Sequence, residues 1–124
     1  MTVLVDSDVI IEVLRARDQD LSVKWASLSS SSSGILCSPV SVAEIWAGAR
    51  THEYEAISTV FDNLACTAID AATGRKAGDY LRMFQKSHRL DIADALIAAS
   101  AFMNKAVLWT RNRKHYPMKE LSFF

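Results

Sequence analysis

Val3-Leu4-Val5-Asp6-Ser7-Asp8 sets the reading of everything that follows it. Three apolar residues, two of them β-branched, make a short buried strand. The strand runs straight into a carboxylate. Val9, Ile10, Ile11, Val13 and Leu14 then change the pattern to that of a helix lying on a sheet. Asp6 therefore stands at the carboxyl end of a first strand, where open α/β sheets bind their ligands. A carboxylate that has given up much of its water there needs a cation, a set of donors or a metal to keep its charge. Ser7 or Asp8 can cap the helix. Asp8 is the expected cap, which leaves Asp6 free to act as a ligand.

The same alternation recurs. Residues 35–38, 65–69 and 106–110 read as further strands, and residues 121–124 as a short fifth. Helical spacing covers the stretch up to about residues 15–17, then 19–29, 41–49, 53–61, 71–87 and 90–103. Ser41 is expected to open the third helix after Pro39 stops its strand. The serine run at 29–33, followed by Gly34, reads as a loop. Strands alternating with helices predict an α/β fold with a short, mainly parallel sheet of four to five strands. Helices sandwich that sheet in a Rossmann-like three-layer arrangement. No repeat or boundary interrupts it, so residues 1–124 are expected to form a single domain.

Composition narrows the function. Lys plus Arg equals Asp plus Glu, 14 each, so any nucleic-acid contact must come from a local patch. Half the residues are hydrophobic and 23% are charged, which excludes disorder. Cys37 and Cys66 lie in apolar segments without metal-binding spacing, and are expected as buried, reduced thiols in the cytoplasm. No basic segment precedes the first apolar run, so a signal peptide is not expected. No apolar run is long enough for a membrane span.

Three acids interrupt apolar segments: Asp6, Glu44 within Val42-Ala43-Glu44-Ile45-Trp46, and Asp94 within Ile92-Ala93-Asp94-Ala95-Leu96. On one sheet they can converge beyond the strand ends. Like charges so gathered raise each other's pKa, and a hard divalent cation, Mg²⁺ or Mn²⁺, resolves the conflict. Such a site suits phosphodiester hydrolysis. Each acid also has a structural reading. Ser41 and Glu44 have capping-box spacing, Asp91 can cap the helix that carries Asp94, and Asp6 can bond helix amides. Asp8 and Asp91 are expected mainly as caps, with Asp8 also a possible outer acceptor. The densest basic stretch, Thr110-Arg111-Asn112-Arg113-Lys114-His115-Tyr116, follows the fourth strand. It reads either as a solvated turn or as a phosphate-contacting rim of the acidic pocket.

Four blocks taken together resemble the PIN-domain ribonucleases, and within them the VapC-type toxins of toxin–antitoxin pairs. They are residues 3–10, residues 38–45 with Gly48-Ala49-Arg50, residues 91–99, and Leu108-Trp109-Thr110-Arg111-Asn112. The resemblance covers essentially the whole chain. It implies a Mg²⁺- or Mn²⁺-dependent endoribonuclease in which Asp6, Glu44 and Asp94 match the acidic metal-binding positions. It also implies a homodimer, a VapB-like antitoxin partner that blocks the pocket, and an RNA substrate. Thr110 and Asn112 would support the site, while Arg111, Arg113, Lys114 and His115 would face the RNA backbone. One position departs: His115 stands before Tyr116 where the family often has an acid, which points towards one metal or lower activity. A catalytically weakened PIN-like binding module, acting through antitoxin or RNA, is the alternative. A small-molecule phosphohydrolase lacks support, because the chain has only four scattered glycines and no phosphate-cradling loop.

Overall fold

The computed structural model describes residues 1–32 and 34–124. Strand β1 (Val3–Val5) leads through Asp6 into helix α1 (Ser7–Arg15) and then α2 (Gln19–Ser29). Strand β2 (Ile35–Cys37) is followed by α3 (Pro39–Ala47), a short 3₁₀ turn at Thr51–Glu53, and α4 (Tyr54–Asp62). Strand β3 (Ala65–Cys66), α5 (Ala71–His88), α6 (Ile92–Met103), β4 (Val107–Trp109) and a 3₁₀ turn at Arg113–His115 complete the order. The four strands are parallel in the order β3-β2-β1-β4.

β1 is central because its three side chains are apolar on both faces. Val3 and Val5 enter one core with Val9, Ile10, Leu21, Ile45 and Ile57, which come from α1 to α4. Leu4 enters the other core with Ala77, Tyr80, Ala95, Ala98 and Leu108, beneath α5 and α6. All three are 0% exposed, so each contributes about 1.5–3 kcal/mol of apolar burial. Helices on both faces of a parallel sheet give the three layers expected from the alternation. Among the described residues no helix is long and apolar enough to cross a membrane.

Several local expectations need correction. Pro39 does more than stop β2: it is the first residue of α3, where its missing N–H is no loss. The cap is Ser38, whose Oγ accepts the Val40 amide at 3.1 Å, so Ser41 lies inside the helix and is fully buried. The fifth strand is reduced to one parallel bridge, Leu108 with Phe123. In the serine run α2 continues through Ser29, and Ser33 lies outside the described residues. Gly34, at φ +64, takes a left-handed conformation that glycine tolerates. Cys37 is buried but Cys66, on the edge strand β3, is exposed, and both thiols are free. In α6 the ends come out to solvent at Ile92 and Met103, while Ala95 and residues 97–101 stay buried.

Candidate active site

The sheet's carboxyl edge assembles the site. Asp6 N–H donates to the Trp109 carbonyl at 2.9 Å, which carries the β1–β4 pairing one residue past β1. Asp6 has extended backbone (φ −78, ψ 159) and is itself the N-cap of α1, its Oδ1 accepting the Ser7 amide at 2.7 Å. The expectation that Asp8 caps this helix is thereby corrected. The helix starts at once, at Ser7, so Asp8 falls within its first turn. Capping does not exhaust Asp6. Its Oδ2 accepts the Thr110 hydroxyl at 2.8 Å and the Tyr116 hydroxyl at 2.8 Å. These three donors keep an almost fully buried carboxylate hydrogen-bonded.

Tyr116 joins Asp6 to Asp94. Its hydroxyl also lies 3.4 Å from Asp94 Oδ1. Asp94 sits in the first turn of α6, held there by Asp91, which caps the helix as expected and accepts the Asp94 amide at 2.8 Å. Burial, then the charges of Asp91 and Asp6, push the Asp94 carboxyl above its ordinary range, and His115 pulls it back. His115 Nδ1 stands 3.5 Å from Asp94 Oδ2, so the residue found in place of an acid faces the pocket. Burial and the charges of Asp6 and Asp94 drive the Tyr116 phenol strongly upward, so it stays a neutral donor.

Asp8 is half-buried beside Asp6. Its Oδ2 accepts the Arg111 amide at 3.1 Å and lies 3.4 Å from the Thr110 hydroxyl, but its buried Oδ1 has no partner. Burial first, and the Asp6 charge second, push its pKa to about 6. Glu44 lies on the exposed side of α3 and reaches the cluster through Ser7, whose hydroxyl is 2.7 Å from Glu44 Oε1 and 2.8 Å from Ser41 Oγ. An ionised Glu44 only accepts, so Ser7 donates to it and receives the Ser41 proton.

The basic loop divides into parts. Thr110 Oγ accepts the Asn112 amide at 3.1 Å, and this fixes the hydroxyl that serves Asp6; the Asn112 side chain is exposed. Arg111 turns back to α1: its guanidinium meets Glu12 at 3.0 Å, alongside Arg17 at 2.8 Å. The neighbouring guanidinium of Arg17, then those of Arg111 and Arg15, hold the Glu12 carboxyl below its usual range. Arg113 donates to the Phe124 carbonyl at 3.0 Å and lies over the Phe123 ring. Lys114 is exposed. Sequence reasoning missed Tyr116, Ser7, Ser41 and Glu12 as parts of this network. Only Tyr116 carried a signal, a hydroxyl on an aromatic that follows a polar loop.

The convergence is less tight than the sequence suggested. Asp6 and Asp94 meet at Tyr116, Asp8 adjoins Asp6, and Glu44 is linked through Ser7. Among the described residues no group of three or more His, Cys, Asp or Glu side chains is gathered closely enough to hold a metal ion by itself. The donors present are all hard oxygens, one of them is buried and orphaned, and no Lys or Arg among the described residues is ion-paired to Asp6, Asp8 or Asp94. Mg²⁺ commonly takes only one or two carboxylates and completes its shell with water and phosphate, so this donor set fits a hard divalent cation.

Fold and site together define a small parallel α/β protein with an acidic, oxygen-lined centre at its carboxyl edge. A family model described as PIN domain matches residues 3–121, and the chain belongs to that family. It is 35% identical over 123 residues to Ribonuclease VapC10 of Mycobacterium tuberculosis, covering 95% of this chain and 88% of that protein. The fold is similar to that of VapBC2 from Rickettsia felis bound to a promoter DNA fragment, with a TM-score of 0.80 at 21% identity, covering 100% of this chain and 98% of that one. A toxin–antitoxin complex from Klebsiella pneumoniae matches with a TM-score of 0.75 at 18% identity, over 95% of this chain and 92% of that one.

Proposed function

We propose that this protein is a Mg²⁺- or Mn²⁺-dependent endoribonuclease, the toxin of a toxin–antitoxin pair, acting as one PIN-like domain over residues 1–124. The observation that carries the reading is the meeting of Asp6 and Asp94 on one buried hydroxyl, with no Lys or Arg among the described residues ion-paired to either. Membership of the PIN family and 35% identity to a VapC ribonuclease support the activity. A VapB-like antitoxin is the partner, since the fold matches are VapBC and toxin–antitoxin complexes. A homodimer in the cytoplasm completes the proposal; the free thiols of Cys37 and Cys66 suit a reducing compartment.

The residues divide the work. Asp6 and Asp94 would hold the cation, which would supply acidity to a water molecule and stabilise charge on the phosphate. Glu44, exposed and oriented by Ser7, takes a proton from the attacking water or joins the ligands. Thr110 keeps the Asp6 carboxylate in its rotamer. Asp8 is an outer acceptor that ties the Arg111 backbone to α1. Arg113 and Lys114 on the exposed loop contact the RNA backbone, and Asn112 beside them supports the site. Arg111 bonds Glu12 first, so it serves RNA only with the charge left over.

The second reading, a binding module with weakened catalysis, rests on His115 facing Asp94 where an acid is expected. Cleavage of an internally labelled RNA separates the two. Asp6→Asn and Asp94→Asn are each expected to abolish Mg²⁺-dependent cutting while leaving the far-ultraviolet circular dichroism and cooperative unfolding intact. Full activity in both variants contradicts the assignment, and an inactive parent protein favours the second reading.

A further inference from the structure

Tyr116 is 3% exposed, in a core that includes Leu4, Leu108 and Met118, so its ring has no freedom to swing. Its hydroxyl lies 2.8 Å from Asp6 Oδ2 and 3.4 Å from Asp94 Oδ1. The single phenol proton goes to Asp6, the shorter contact. Thr110 donates to the same Asp6 oxygen. Two donors thus occupy Oδ2, and Oδ1, bonded only to the Ser7 amide, keeps a lone pair for a ligand.

A second buried tyrosine in the same molecule gives the contrast. Tyr80, 2% exposed, donates its hydroxyl to Glu120. There the carboxylate also pairs with Lys76 at 2.7 Å, so phenol, carboxylate and cation are all present. Around Tyr116 the phenol lies between two carboxylates and donates to one of them, and the nitrogen paired with them is the imidazole of His115, 3.5 Å from Asp94. The arrangement has the anions and the donor of the Tyr80 cluster without its lysine.

From this we infer that Tyr116 is a positioning residue for the divalent cation: it fixes the Asp6 carboxylate with Oδ1 presented and sets the separation of Asp6 from Asp94. This inference rests on the metal-dependent reading above. A phenylalanine would fill the core equally well, so the hydroxyl answers to the acids and not to the packing. Partners that orient a metal-binding side chain typically carry 10–100-fold of metal affinity.

Mn²⁺ binding, followed by the electron paramagnetic resonance of the free ion, tests this without any catalytic readout. The parent, Tyr116→Phe and Tyr80→Phe are titrated side by side, with urea midpoints taken in chelator. Both variants lose a phenol–carboxylate hydrogen bond made by a buried tyrosine, and both urea midpoints are expected to fall. The Mn²⁺ dissociation constant is expected to rise by about 10–100-fold in Tyr116→Phe and to stay at the parent value in Tyr80→Phe. Replacing Tyr116 by 4-aminophenylalanine keeps a donor in place and is expected to restore parent affinity; it also serves if Tyr116→Phe fails to fold. Parent-like binding by Tyr116→Phe overturns the inference. So does equal weakening by Tyr80→Phe, which would mark a general loss of packing, or no rescue by the amino analogue. A parent protein that binds no Mn²⁺ overturns the metal reading itself, and that failure is seen in the parent titration alone.

Discussion

Replacing Asp8 by Asn should make the metal-free protein more stable at neutral pH. Asp8 is pushed from 3.8 to about 6, by burial first and by the Asp6 charge second. A shift of that size corresponds to about 3 kcal/mol at 1.36 kcal/mol per pKa unit, and partial exposure reduces it to about 1–3 kcal/mol. In the unfolded chain Asp8 ionises near 3.8, whereas in the fold it keeps its proton until about 6. Across that window the unfolded state binds fewer protons, so stability falls as the pH rises, and the loss is complete above about 6. Asn carries no charge and escapes this loss. Its amide oxygen can still accept the Arg111 N–H that Asp8 Oδ2 accepts at 3.1 Å. Urea unfolding in chelator should show Asp8→Asn ahead of the parent by about 1–3 kcal/mol at pH 8, with the gap closing towards pH 4. Mn²⁺ should narrow the gap at pH 8, because a bound cation favours the ionised parent. Equal or lower stability of the variant at pH 8, or a gap that does not change with pH, refutes the reasoning.

His115→Asp places a carboxylate beside Asp94, where His115 Nδ1 now stands 3.5 Å away. It should lower the metal-free stability at pH 7 by on the order of 1 kcal/mol and raise Mn²⁺ affinity, so thermal unfolding with and without Mn²⁺ should show a larger metal-induced rise than in the parent. Ser7→Ala leaves the fully buried Ser41 hydroxyl without the partner it has at 2.8 Å. It should cost about 1–3 kcal/mol in urea unfolding and release Glu44, with RNA cleavage falling as well; unchanged stability would show that Ser41 finds another acceptor.

The layered fold was legible because periodicity is set by burial. Val3, Leu4 and Val5 are apolar in succession, which happens when both faces of a strand are covered, and α5 and α6 pack on the face opposite α1 to α4. The acids at Asp6 and Asp94 were legible for the related reason that each interrupts such a run. Chain boundaries and caps were less so. Asp6, Ser7 and Asp8 can each cap a helix, and only the abrupt start of α1 decides for Asp6. Ser41 and Glu44 have the right spacing for a capping box, yet Pro39 can itself begin a helix, and Ser38 caps it. Long-range pairing leaves no local trace at all. Arg111 was read with the loop as a phosphate contact, but its partner Glu12 lies on α1, about a hundred residues earlier in a chain of 124. Tyr116 was read only as the residue that closes the basic loop after His115; that it is buried and that its hydroxyl reaches Asp6 depend on how the loop after β4 folds back over α6.

The central claim is that Asp6 and Asp94 share a divalent cation. Anomalous diffraction from crystals soaked in Mn²⁺ tests it most directly. The expected result is a peak in contact with a carboxylate oxygen of each residue, at the distances of about 2.0–2.1 Å that hard octahedral cations such as Mg²⁺ require. A peak elsewhere, or none between Asp6 and Asp94 in a protein that cuts RNA, contradicts it.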